Sequence, residues 1–212
     1  ALTGVTPNYG YHRDSERQPT LTVDVRARLE PDSGGSATQE FGALGKLIGE
    51  RLQALGLRPV PYIRGVPQAS LEELKSFCAS LATFGGAALF HMQGITPEAS
   101  ACSAPDITYE VTHADLDAAR AALTDRDADA ADFVSLGCPH LSIHEIARLA
   151  ELLAGQHVTK EFWITTARPV KQIADQMGYS AVIEASGAKF AVDTCCVVAP
   201  IEGRFKVLVT DS

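Results

Sequence analysis

Short apolar runs alternate with amphipathic segments from Thr20 to the end of the chain, and the loops between them are brief. Strand patterns occur at TLTVDVRARL from Thr20, Pro59–Ile63, AALFHM (87–92), DITYEV (106–111), FVSL (133–136), EFWITT (161–166), FAVDTCC from Phe190 and FKVLV (205–209). Helical spacing fills the intervals. Phe41, Leu44, Leu47, Ile48 and Leu52 define a helix over about 39–55 that Thr38 is placed to cap and Gly56 to end. Ser70 with Glu73, and Ser142 with Glu145, have the S-x-x-E spacing of capping boxes and open helices to about Thr83 and Leu153. Further helices are expected over 113–123 and at VKQIADQMG, with SAVIEA a short segment of undecided type. Parallel strands need a crossover of a dozen residues or more, usually helical, whereas antiparallel neighbours join by tight turns. The pattern therefore predicts an α/β fold, a mainly parallel doubly wound sheet with helices on both faces. The first strand, with Leu21, Val23 and Val25 on one face and Thr22, Asp24 and Arg26 on the other, is expected to be half exposed.

Length allows one large domain or two small ones, since 212 residues with 46% apolar content can build a substantial core. The polar tract TDRDADAAD divides the pattern. We expect an extended segment over 1–19 continuing from a missing half, a first α/β portion over 20–124, a linker over 125–131 and a second α/β portion over 132–212. Formal net charge is −8 and no block of lysine or arginine occurs, so no nucleic-acid or membrane partner is expected. No apolar run reaches the roughly 20 residues that span a bilayer, and the first residues lack a signal-peptide pattern, which predicts a cytoplasmic protein. The chain begins on Ala1 and ends at Thr210-Asp211-Ser212 straight after a strand pattern, and we read it as a piece of something longer.

Five cysteines without regular spacing argue against a disulfide framework and for reduced thiols, some of them metal ligands. Cys138, in FVSLGCPHLSIHE, sits just past a strand and just before a capped helix, where unpaired N–H groups and the helix dipole favour a thiolate. The plainer reading is a small buried hydrophobe. Cys195 and Cys196 interrupt an apolar run after Asp193 and Thr194; as neighbours they point differently, so at most one is expected to share a metal with Cys138. No zinc-ribbon or ferredoxin spacing matches the interval between the two sites. Cys78 reads as a core thiol, Cys102 as exposed and without a role, and His91 as a core histidine or a weak site residue at a strand end. Arg168 stands where a strand gives way to a helix, a place for a cation that holds a carboxylate or phosphate.

GCPH before a capped helix, DTC before VVAPI, TGVTPNYGYHRDSERQPT at the start and ALFHMQGITPEA in the middle occur in one order over most of the chain. Together they resemble the large, catalytic part of aconitase X, an aconitase-superfamily dehydratase, in its C-terminal half. The resemblance implies an iron–sulfur cluster, two-iron or four-iron, held by three cysteines with one iron open to substrate. Cys138 and Cys195 match two ligand positions, the third belonging to a missing N-terminal half; Cys196 departs from the usual residue there and is an alternative ligand. His140 is expected to reach a bound hydroxyl or a cluster sulfur, and Thr194 and Arg168 to contact substrate. No residue is assigned as the catalytic base. The implied activity is dehydration of a small hydroxy acid, with a small swivelling domain or subunit as a further partner. A composition unlike that of hyperthermophiles, and cations that look scattered, favour cis-3-hydroxy-L-proline over mevalonate 5-phosphate as substrate. A non-catalytic fragment that binds no cluster alone, and a zinc or redox thiol domain, are the competing readings.

Overall fold

Every strand pairing in the computed structural model is parallel, and the strands form two four-stranded sheets. The structure describes residues 3–31, 35–124 and 130–211, and the chain divides into unit 1, residues 1–124, and unit 2, residues 125–212. Most of the tract read as a linker, residues 125–129, lies outside the described residues.

Unit 1 contains α1 (Asp14–Arg17), β1 (Leu21–Val25), α2 (Thr38–Ala54), β2 (Pro61–Arg64), α3 (Leu71–Gly85), β3 (His91–Met92), β4 (Thr108–Val111) and α4 (His113–Leu123). The sheet order is β3-β2-β1-β4. All five residues of β1 are buried, against the expectation of a half-exposed strand. Its place between β2 and β4 in a helix-covered parallel sheet leaves it no wet face. The polar residues on it are matched individually. Thr22 donates its hydroxyl to Pro105 O at 2.7 Å, and Asp24 takes a two-pronged grip from Arg64, its register partner on β2, with Nη2 to Oδ2 at 2.8 Å. That guanidinium, more than any other neighbour, holds the Asp24 carboxyl below its usual range.

The helix starts follow local rules in part. Ser70 and Glu73 form the expected capping box on α3, and Thr112 with Asp115 forms another on α4. Thr38, in contrast, is the first residue of α2 and not its cap. The residue before it, Ala37, has no side-chain oxygen, and its N–H goes to Glu73 Oε1 at 3.0 Å, so one carboxylate serves two helix starts. The α2–α3 crossing is close: a Cβ on Gly49 would lie 2.7 Å from Gly85 N, and one on Gly45 would lie 2.7 Å from Phe77 O. Cys78, expected in the core, is exposed on α3, because Phe77 and Leu81 are the residues of that turn facing inward.

Residues 1–19 are not wholly extended. A 3₁₀ turn (Gly10–His12) and α1 are held to the unit by Arg17, whose Nε donates to Glu98 Oε2 at 2.8 Å, and by Arg58, whose Nη1 donates to Glu16 Oε2 at 2.6 Å. His91 is fully buried and its Nε2 lies 2.7 Å from Arg17 O. A bond to that carbonyl requires the Nε2–H tautomer and makes His91 a packing residue for this segment. The AALFHM run supplies only the two paired residues of β3, while its Phe90 packs edge-on against Phe77.

Unit 2 contains β5 (Phe133–Leu136), α5 (Ile143–Leu153), β6 (Glu161–Thr166), α6 (Arg168–Gln176), α7 (Tyr179–Ala185), β7 (Lys189–Val192) and β8 (Leu208–Thr210), with sheet order β7-β6-β5-β8. SAVIEA is thus helical, within α7. Asp132 aligns β8 by accepting from Lys206 N and Val207 N at 2.9 and 3.0 Å, and Phe133 stacks on Phe205. Ile146, Ile164, Ala174 and Ile183 form the centre of the core. The two units share one topology. In each, the first strand lies between the second and the fourth, so the connections leave it in opposite directions and open a crevice at its carboxyl end, the usual ligand site of such sheets. Among the described residues no helix is long and apolar enough to cross a membrane.

Two outcomes test this account. Because the folded pKa of Asp24 lies below its unfolded value of about 3.9, its stabilisation is present above about pH 4 and is lost as pH falls through the lowered value. Urea unfolding should therefore show Asp24→Asn weaker by about 1–3 kcal/mol at neutral pH, with the gap to wild type closing in acid. Gly49→Val should cost about 1–3 kcal/mol in the same measurement, since its side chain meets the Gly85 backbone.

Candidate functional site

Beyond the end of β5 the chain turns away from its ladder and must find new partners for its backbone. Gly137 makes the turn with φ 107°, and a Cβ there would lie 2.2 Å from Thr165 O. Only glycine tolerates both the conformation and the approach. The Thr165 hydroxyl donates to Gly137 O at 2.5 Å, Leu141 N donates to Thr165 O at 3.0 Å, and the Thr166 hydroxyl donates to Leu141 O at 2.7 Å. Residues 137–141 are thereby fastened to the end of β6. The Cys138–Pro139 bond within them is cis. Ser142 and Glu145 then close the expected capping box of α5.

The N–H groups of Gly137 and Cys138 both donate to the Asp211 carboxylate, at 2.9–3.0 and 3.2 Å. Asp211 follows β8 directly, on the far side of β5 from β6. Burial pushes its carboxyl pKa up, and these two N–H groups oppose the shift.

The second cysteine loop starts where β7 ends. Asp193 has φ 58°, its N–H donates to Thr166 O at 3.0 Å, and its carboxylate accepts from Arg168 N at 2.8 Å. The Arg168 guanidinium also pairs with it, Nη2 to Oδ2 at 2.9 Å. The Arg168 N–H first, then the side chain, hold the Asp193 carboxyl below its ordinary range. Thr194 O lies 2.9 Å from His140 Nε2. That contact ties the two cysteine loops together, with His140 donating. Cys138 and Cys195 are half-buried and Cys196 is buried.

Cys138, His140, Thr194, Cys195 and Arg168 therefore all lie at the carboxyl ends of β5, β6 and β7. Arg168 is not a bare cation: it is engaged by Asp193, although a pair this exposed exchanges readily. His140 spends one ring nitrogen on the neighbouring loop. Cys78, Cys102 and His91 belong to unit 1. Sequence reasoning missed Asp211, Asp193 and Thr165. Their only local sign was a polar residue at a strand's carboxyl end. Among the described residues no three His, Cys, Asp or Glu side chains are grouped to hold a metal ion.

The family models described as the aconitase X second domain and aconitase X third domain match residues 19–131 and 131–212. The phosphomevalonate dehydratase large subunit of Methanothermobacter thermautotrophicus is 38% identical over 100% of this chain and 51% of its own length. The cis-3-hydroxy-L-proline dehydratase of Hypocrea jecorina is 32% identical over 93% of this chain and 34% of its own. A crystal structure of Thermococcus kodakaraensis aconitase X in its holo-form superposes with TM-score 0.83 at 34% identity, over 98% of this chain and 52% of that one. The chain thus spans about half the length of the phosphomevalonate dehydratase large subunit it matches.

Removing the Asp211 carboxylate leaves two N–H groups without their acceptor, a loss of about 1–3 kcal/mol concentrated at the Cys138 loop. Asp211→Ala should accordingly raise the alkylation rate of Cys138, followed by mass spectrometry, while that of exposed Cys78 stays unchanged.

Proposed function

Because the chain belongs to the aconitase X family, matching its second and third domains, we propose that it forms part of a hydro-lyase that removes water from a small hydroxy acid, mevalonate 5-phosphate. The observation that carries the chemical part is the tie between the two cysteine loops, His140 Nε2 to Thr194 O at 2.9 Å. It supports Cys138 and Cys195 as two ligands of one iron–sulfur cluster. Their partial exposure at strand ends suits thiolates that must reach a shared group, and the fit is to two of three ligands, the third coming from outside these residues. Val197 and Val198, exposed beside Cys195, suit a loop that another part of the enzyme covers.

When bound, such a cluster supplies a Lewis acid for the hydroxide that leaves as a neighbouring carbon gives up its proton. The residues of this chain supply position. Gly137, Thr165 and Asp211 fix the backbone that carries Cys138, and Asp193 with Thr166 fixes the backbone that carries Cys195. His140 links the two loops through its bond to Thr194 O. Arg168, at the first turn of α6, is suited to exchange Asp193 for an anionic group of the substrate. Cys196, buried in its loop, is the weaker ligand candidate.

The phosphorylated substrate is preferred over hydroxyproline because the phosphomevalonate dehydratase relative matches this chain over its whole length with the higher identity, 38% against 32%. That reverses the preference drawn from composition, in which the arginines look scattered. The remaining half of the large subunit and a small subunit are the partners this reading requires.

Anaerobic reconstitution of the full-length assembly with iron and sulfide tests it. Cluster absorption should develop and mevalonate 5-phosphate should lose one water, with no turnover of cis-3-hydroxy-L-proline. Cys138→Ala or Cys195→Ala should abolish both absorption and dehydration. A cluster and activity that survive both substitutions overturn the ligand assignment, and turnover of hydroxyproline alone overturns the substrate.

A further inference from the structure

Unit 1 has the same strand order as unit 2, and just past its first strand it carries Arg26 and Arg28. After β1 the chain leaves its ladder at Arg26 and Ala27, whose N–H groups both donate to Val111 O, at 2.9 and 3.2 Å. The side of β1 towards β2 is hollow. A cavity of about 560 Å³ is lined by Arg26, Arg28, Gln68 and Phe41 among others, and a second of about 250 Å³ by Asp24, Arg26, Arg64 and Gln93. Val25, Arg26 and Gly65 border both. The larger falls within the range, about 300–1,000 Å³, of pockets that hold small organic ligands.

The charges around the two cavities sort into spent and available ones. Asp24 is gripped on both oxygens by Arg64. Glu73 accepts from Ala37 N and Ser70 N at two helix starts. Neither carboxylate is left to repel an anion at full strength. Among the described residues, Arg26 and Arg28 pair with Asp24 at 4.0 Å, Glu110 at 3.3 Å and Glu30 at 3.2 Å. Glu110 and Glu30 are both 58% exposed. Pairs this exposed are weak and give way to a better acceptor. A phosphate monoester is such an acceptor, because its oxygens accept two parallel N–H bonds from each guanidinium and it brings close to two negative charges.

We propose that the carboxyl end of the unit 1 sheet is a binding site for the phosphate of a small organic phosphomonoester, held by Arg26 and Arg28, with Arg64 fixed beside them by Asp24. The site stands on its own geometry. Where mevalonate 5-phosphate is the substrate, its phosphate is one source of the ligand, and a separate phosphorylated effector is the other.

Isothermal titration of the full-length assembly with propyl phosphate, inorganic phosphate and butyrate tests the site. Wild type should bind propyl phosphate saturably and butyrate far more weakly. Arg26→Gln with Arg28→Gln should weaken propyl phosphate by roughly tenfold or more, at unchanged thermal midpoint, and Arg28→Lys should retain an intermediate affinity. Equal affinity in wild type and the double variant, or no saturable binding in wild type, overturns the proposal. The source is read from kinetics: a raised KM for mevalonate 5-phosphate at constant kcat in the double variant identifies the substrate, and an unchanged KM beside lost propyl phosphate binding identifies an effector. Should wild type fail to dehydrate mevalonate 5-phosphate, the functional reading falls while the titration still decides the site.

Discussion

A parallel strand satisfies its backbone only as far as its neighbours extend, and the first N–H groups beyond that point must be paired or cost about 1–3 kcal/mol each when buried. At the end of β5 the two groups in question belong to Gly137 and Cys138, and one carboxylate, Asp211, accepts from both. The rest of the cysteine loop depends on that solution. Once Gly137 is held at positive φ against Thr165, the turn brings Leu141 back to the end of β6 and starts α5 at Ser142. His140 is then within reach of Thr194.

Unit 1 answers the same demand with a carbonyl. Arg26 N and Ala27 N share Val111 O, so its first strand end is capped by main chain, and the side chains that follow are cations. One topology thus carries two chemistries, thiols on a loop pinned by a carboxylate and guanidinium groups around a cavity. No repeat is visible in the sequence because the repetition lies in strand order and crossover direction, which many sequences satisfy.

Legibility tracked range. The fold class, the two S-x-x-E boxes and the placing of Cys138 between strand and helix were readable, since each rests on residues a few positions apart. What failed depended on distant partners. The burial of β1 follows from β2 and β4 lying on either side, and Asp24 is tolerable there only because Arg64 faces it across the ladder. The start of α2 is served by Glu73 of another helix and not by Thr38. Arg26, Arg28 and Arg64 look scattered in one dimension, and the composition argument, which favoured an unphosphorylated substrate, could not see that they border adjoining cavities. Asp211 was noticed as a chain end and not as a partner, because nothing near it in sequence shows that β8 lies beside β5.

The 73 residues between Cys138 and Asp211 also set an order of events. A chain elongating at about 5–20 residues per second completes β5 and its cysteine some 4–15 seconds before Asp211 is made. Throughout that interval the nascent Cys138 loop lacks both its acceptor and the strand beside it. The backbone of the Cys138 loop is therefore settled only after the last strand of unit 2 has been made.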